Sequence, residues 1–135
     1  MEHARRAVSR AAARGLARLT ATRVRAAGAE RLAGLPGCVV VANHASCLDG
    51  IAMSAALPGS HTFVAGEVFA RKPVVGFLLR RIGTRFVERT ERVWSVADAA
   101  ALARAAEAGE TLVIFPEGGL SAVPGLRQFH MGARS

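Results

Sequence analysis

The stretch SVADAAALARAAEAGETLVIFPE, residues 95–117, holds the two signals on which the fold turns. Ser95 followed three residues later by Asp98 resembles a capping box, Ala and Leu fill the segment behind it, and Gly109 stands at the C-cap position, so the spacing predicts a helix over 95–108. Thr111-Leu112-Val113-Ile114-Phe115 then runs apolar and β-branched until Pro116 ends it, the pattern of a buried strand. The same alternation continues upstream. Strand character recurs at 38–42, 62–65 and 84–87, and helical character at about 47–57 and about 73–82. Apolar strands alternating with helices predict an α/β fold, a mostly parallel sheet flanked by helices.

Length and composition agree with one such domain. The chain has 135 residues, 51% apolar and 21% charged, with 14 glycines. A chain of this size buries about two-thirds of its accessible surface, enough for a core. The longest apolar stretch, Leu35 to Ala42, falls far short of the ~20 residues needed to span a bilayer, which excludes a transmembrane helix. Cys38 and Cys47 form neither a disulfide framework nor a zinc-type spacing, as expected of a reducing cytosolic setting.

The net charge of +8 is uneven. Residues 1–34 carry eight arginines against Glu2 and Glu30, whereas residues 35–135 are nearly balanced. The division is therefore a basic, Ala/Arg-rich helical arm, 1–34, and a body, 35–135. In the arm Val8, Ala12, Leu16 and Leu19 recur at helical spacing, beside a stripe of Arg6, Arg10, Arg14 and Arg18. This amphipathic arm has two readings: a helix lying on an anionic bilayer, or one packed on the body by its Leu face. An Arg-rich targeting peptide is a third, though nothing in it resembles a secretory cleavage site.

In parallel sheets, chemistry sits where strands end and helices begin. Three segments at such places hold the polar residues of interest. Asn43-His44-Ala45-Ser46-Cys47-Leu48-Asp49 follows the strand 38–42. There His44 can act as a general base with Asp49 folding back to orient its ring; alternatively, Ser46 and Asp49 simply cap a helix. Gly83-Thr84-Arg85-Phe86-Val87-Glu88-Arg89 ends on an arginine able to grip a phosphate, or to pair with Glu88 or Glu91. Phe115-Pro116-Glu117-Gly118-Gly119-Leu120-Ser121 sets a carboxylate and two glycines at a strand end, suited to an anion or to a plain turn.

Taken in order, the three segments resemble the glycerolipid acyltransferases, which acylate glycerol 3-phosphate, lysophosphatidic acid and related lysolipids. Residues 43–49 match every fixed position of that family's Asn-His-x-Ser-x-x-Asp block. Gly83, Phe86 and Arg89 match its Gly-x-x-Phe-x-x-Arg block, and Phe115, Pro116, Glu117, Gly118 and Ser121 match its Phe-Pro-Glu-Gly-Thr-Arg-Ser block. The resemblance covers residues from about 35 onward. It implies direct acyl transfer to a hydroxyl, with His44 and Asp49 catalytic. It further implies that Asn43, Ser46, Gly83, Phe86, Arg89, Glu117, Gly118 and Gly119 bind substrate. Where the family has Thr-Arg, this chain has Gly119-Leu120, so Arg127 or Arg85 is expected to replace the missing phosphate ligand, or the acceptor to differ. The family's next block, an apolar Pro-containing strand, is expected soon after residue 132, and the chain stops at Ser135; the domain is read as incomplete at its C-terminus.

The resemblance implies no metal and no bound cofactor, with acyl-CoA or acyl carrier protein as co-substrate. The implied partners are a lysophospholipid or glycerol phosphate acceptor and an anionic membrane surface. The expected location is peripheral, on the cytoplasmic face of the cell membrane. The rival reading is a non-catalytic membrane- or anion-binding fragment. A nucleic-acid binder fits poorly, since aromatics are only 5% and none interleaves with the arginine stripe. Among lesser features, Cys47 reads as a small packing residue, His61 as a surface residue opening a strand, and Trp94 as a staple into the core. Arg71-Lys72 and Arg80-Arg81 flank the apolar segment Val74–Leu79, which suits headgroups or CoA phosphates as well as a solvated helix end.

Overall fold

The computed structural model describes residues 2–46, 48–90 and 93–117, with side chains except those of 2, 3, 5, 6, 9, 89, 90, 93 and 94. Its centre is the predicted helix–strand pair. Helix α5 (Val96–Glu107) begins at Ser95, whose Oγ accepts the Asp98 N–H at 3.0 Å and donates to Asp98 Oδ2 at 2.7 Å. Such a cap contributes about 1 kcal/mol. The helix closes at Ala108, and Gly109 turns the chain with φ +94. A Cβ on Gly109 would lie 2.6 Å from the Pro36 carbonyl oxygen, so the turn also needs glycine for space.

Strand β6 (Thr111–Ile114) follows and lies inside a four-stranded sheet of order β1-β6-β2-β3, built with β1 (Cys38–Val41), β2 (His61–Gly66) and β3 (Arg85–Val87). Every pairing in it is parallel, as the buried apolar runs predicted. Leu112 lies beside Val39 on one side and Thr62 on the other. That register divides the core in two. Leu112 and Ile114 join Val64 and Val87 on the face covered by Leu102, Ala105 and Ala106 of α5. Val113 faces the opposite way with Phe63, under Leu57 and Met53. Leu112 and Val113 are fully buried, each side chain worth about 1.5–3 kcal/mol of transfer free energy.

Helix α2 (Asp49–Ala56) crosses from β1 toward β2; α3 (Glu67–Ala70) and α4 (Pro73–Arg81) connect β2 to β3, with Pro73 in the first turn of α4. A small antiparallel pair, β4 (Arg89–Thr90) and β5 (Val93–Trp94), precedes α5. No described helix is long and apolar enough to cross a membrane.

Three expectations need correction. His61 is buried, edge-on to Phe63 at 5.3 Å, because β2 is an interior strand and its first residue is already paired beside Thr111. The basic arm is helical only in part: α1 (Glu2–Leu19) ends before Ala21, which takes φ +51, and a single 3₁₀ turn follows at Ala29–Leu32. The seam of α1 is also not its Leu face. Ala13 and Ala17 are the buried positions, and Arg14 Nε donates to the Ala55 carbonyl of α2 at 3.2 Å. Val8, Leu16 and Leu19 are left exposed. Alanine wins the seam because its small side chain lets two helices approach closely.

Candidate active site

Because β1 and β6 are adjacent and parallel, the segments leaving their C-terminal ends emerge at one edge of the sheet. The Ala42 N–H donates to the Ile114 carbonyl at 3.1 Å, carrying the ladder one residue beyond β1. The next two residues bring His44 over Phe115, their ring centroids 4.3 Å apart and the planes 22° from parallel. Phe115 in turn stacks on Phe63 at 6.4 Å, so the imidazole rests on a ladder of rings rooted in the core.

Asp49, in the first turn of α2, holds the ring from the side. Its Oδ2 lies 3.0 Å from His44 Nδ1 and accepts the N–H groups of Ala45 at 2.7 Å and Ser46 at 2.8 Å. Ser46 Oγ accepts the Leu48 N–H at 3.1 Å, tightening the turn that brings Asp49 round. Burial pushes the Asp49 carboxyl up, but the bonds from the Ser46 amide, the His44 ring and the Ala45 amide together hold it below its ordinary 3.8. Asp49 is therefore ionised near neutrality. Its contribution to this loop is complete above the unfolded value and is lost only as pH falls through the lower folded one.

A carboxylate at Nδ1 requires the proton there, which leaves the Nε2 lone pair available. Nε2 has no hydrogen bond among the described residues, and His44 and Asp49 remain partly exposed. The arrangement is a base with its orienter, able to take a proton from a hydroxyl and stabilise the resulting imidazolium. The capping reading of the first segment does not hold: the N-cap of α2 is Leu48, with no side-chain hydrogen bond, and Asp49 instead closes the turn at 45–46 and orients His44.

Glu117 is 4% exposed, and its Oε1 accepts the His44 backbone N–H at 3.1 Å. It thereby ties the third segment to the first. Glu117, expected at the substrate, thus also holds the backbone of His44. Phe115 belongs to the site although the sequence reading gave it no role there. Its alternation with Val113 along β6 was the available signal; nothing in the sequence points to the His44–Glu117 bond.

The other predicted residues scatter. Asn43 is exposed at the rim, and Ser46 serves the turn. Gly83, with φ +79, precedes β3 and so lies at the opposite, N-terminal edge of the sheet; it makes a turn there rather than meeting His44. Phe86 pairs beside Ala65 in β3, roughly 14 Å from β1 across three strand spacings. The backbone of Arg89 leaves β3 at the same edge as His44, and its side chain lies outside the description. Cys47, Gly118, Gly119, Ser121 and Arg127 lie outside the described residues. Of the expected substitutes for the missing phosphate ligand, Arg85 is bound to Glu110 at 2.6 Å.

The family model described as Acyltransferase matches residues 23–135. This chain belongs to the acyltransferase family. Two curated relatives of this acyltransferase chain are each named 1-acyl-sn-glycerol-3-phosphate acyltransferase. They come from Neisseria gonorrhoeae and from Neisseria meningitidis serogroup B (strain ATCC BAA-335 / MC58). Each is 36% identical over 93 residues, which is 69% of this chain and 36% of the relative. The acyltransferase chain thus spans about a third of the length of the curated relatives it matches. No solved structure matches it.

Proposed function

We propose that this chain carries the proton-transfer centre of an O-acyltransferase that moves a fatty acyl group onto a hydroxyl of a lysophospholipid of the 1-acylglycerol 3-phosphate type. The observation that carries the reading is the His44 Nδ1–Asp49 Oδ2 pair at 3.0 Å, which leaves Nε2 for a substrate proton at the edge where β1 and β6 end. The similarity to the two curated relatives supports the acceptor class.

In this mechanism His44 Nε2 takes the acceptor's hydroxyl proton as its oxygen attacks the thioester carbonyl of acyl-CoA or acyl carrier protein. The new C–O bond forms, the C–S bond breaks, and the proton passes to the departing sulfur, which leaves as a thiol. Asp49 stabilises the transient imidazolium, and no resident cofactor takes part. Arg89, with Glu117 and Gly118, serves the acceptor's phosphate and glycerol, and Arg127 is the further cation. The acceptor places the chain at an anionic membrane surface, on the cytoplasmic face.

Thiol release from palmitoyl-CoA with a panel of acceptors tests this. Acceptor-dependent release should fall about 100- to 10,000-fold in His44→Ala, and at least about tenfold in Asp49→Asn. No acceptor-dependent release from folded parent protein would favour the non-catalytic fragment instead.

A further inference from the structure

Helix α4 presents an outward face that the acyl-transfer chemistry does not use. Gly76 is its buried residue, packed so closely on α3 that a Cβ there would lie 2.5 Å from the Ala70 carbonyl oxygen. The opposite side of the helix faces solvent. Val74 is 70% exposed, Phe77 57% and Leu78 56%. With Arg81 these residues stand at i, i+3, i+4 and i+7, a single stripe along the helix. Val75 and, on the preceding α3, Val68 are also exposed, so the apolar surface spans both short helices. Scattered exposed apolar residues are ordinary, but a contiguous set on one helix face marks a contact surface.

The charge around this stripe selects its partner. Arg71 and Lys72 stand before α4 and Arg80 and Arg81 end it, against the single carboxylate of Glu67 in the same stretch. Glu67 reaches only Arg71, at 3.8 Å between exposed side chains, a pair worth little in water. Lys72 and Arg81 lie over the rings of Phe69 and Phe77, at 5.5 and 5.3 Å. Cations laid along aromatic rings at both ends of an apolar stripe match an interface of acyl chains beneath anionic headgroups.

We propose that α4, with the exposed end of α3, docks the protein on an anionic lipid bilayer: Val74, Phe77 and Leu78 enter the interface, and Lys72 and Arg81 meet headgroup phosphates. This deepens the proposed function by assigning its membrane contact to α4 rather than to the basic helix α1. It does not depend on turnover, because the stripe is distinct from His44 and Asp49.

Sedimentation with phosphatidylcholine vesicles, with and without phosphatidylglycerol, tests it alongside the thiol assay. The parent chain and His44→Ala should bind the anionic vesicles equally, and added salt should weaken both. Phe77→Ser/Leu78→Ser should lower vesicle affinity at least about tenfold, with release toward a water-soluble acceptor unchanged. Lys72→Gln/Arg81→Gln should lose the preference for phosphatidylglycerol while keeping the parent's melting temperature. Binding unaltered in Phe77→Ser/Leu78→Ser but lost in Leu16→Ser/Leu19→Ser would transfer the contact to α1 and overturn the proposal. A parent dimer in light scattering that Phe77→Ser/Leu78→Ser makes monomeric would also overturn it, by assigning the stripe to a second copy.

Discussion

At the scale of single residues, the site depends on two carboxylates acting on one histidine from different parts of the chain. Asp49 reaches the ring and Glu117 reaches the backbone N–H of the same residue. Five positions separate His44 from Asp49, so a local turn suffices; 73 separate it from Glu117, and only the neighbouring placement of β1 and β6 brings those two together. Replacing Glu117 distinguishes a positioning residue from an acceptor ligand. Glu117→Gln keeps a carbonyl oxygen for the His44 N–H and should retain most of the rate. Glu117→Ala leaves that donor without its partner, a cost of about 1–3 kcal/mol, and should lower kcat more than it raises the acceptor KM. An acceptor KM that rises in both variants at unchanged kcat would instead assign Glu117 to substrate alone.

At the scale of elements, small residues decide how the helices seat. Ala13 and Ala17 form the seam of α1, and Gly76 forms that of α4, so Val8, Leu16 and Leu19 of α1 and Val74, Phe77 and Leu78 of α4 are left exposed. This is the reverse of the usual pattern, in which Leu and Phe face the core. Gly76→Ala measures how tightly α4 is held. Its Cβ meets backbone carbonyls of Phe69 and Ala70, which cannot swing aside as a side chain can. Overpacking of this kind costs about 1–3 kcal/mol, visible as a lowered denaturation midpoint, and shifting α4 should also weaken vesicle binding. An unchanged midpoint would show that α4 moves freely relative to α3.

At the scale of the whole molecule, stability is concentrated in β6, which like β2 has neighbours on both sides and both faces covered, and which holds the fully buried Leu112 and Val113. Leu112→Ala should cost about 2–5 kcal/mol in chemical denaturation. Val96→Ala, at a position 87% exposed, should lie within about 0.5 kcal/mol of the parent. Equal effects would mean that the sheet is not the cooperative centre. The same strand delivers Phe115 and Glu117 to His44, so a loosened β6 should reduce activity before the chain unfolds.

Much of this was legible in residue order alone. Local signals lie within a few positions of one another: the Ser95–Asp98 cap, the glycine after α5, the β-branched runs, and the His44–Asp49 spacing that a single turn closes. Residue order therefore settled the class of fold, the succession of its four main strands with α2, α4 and α5, and the pair at the centre of the candidate site, but not α3 or the β4–β5 pair. Strand neighbourhood and helix orientation were not legible, because they depend on contacts between residues far apart in the chain. Tertiary structure alone decided that β6 inserts between β1 and β2, burying His61 in an interior strand. It also carried Glu117 onto the His44 backbone and set Gly83 at the opposite edge. The exposed stripe of α4 has the same origin: apolar spacing announces an amphipathic helix, but which side meets the body is settled by close packing, and there a glycine fits where a phenylalanine does not.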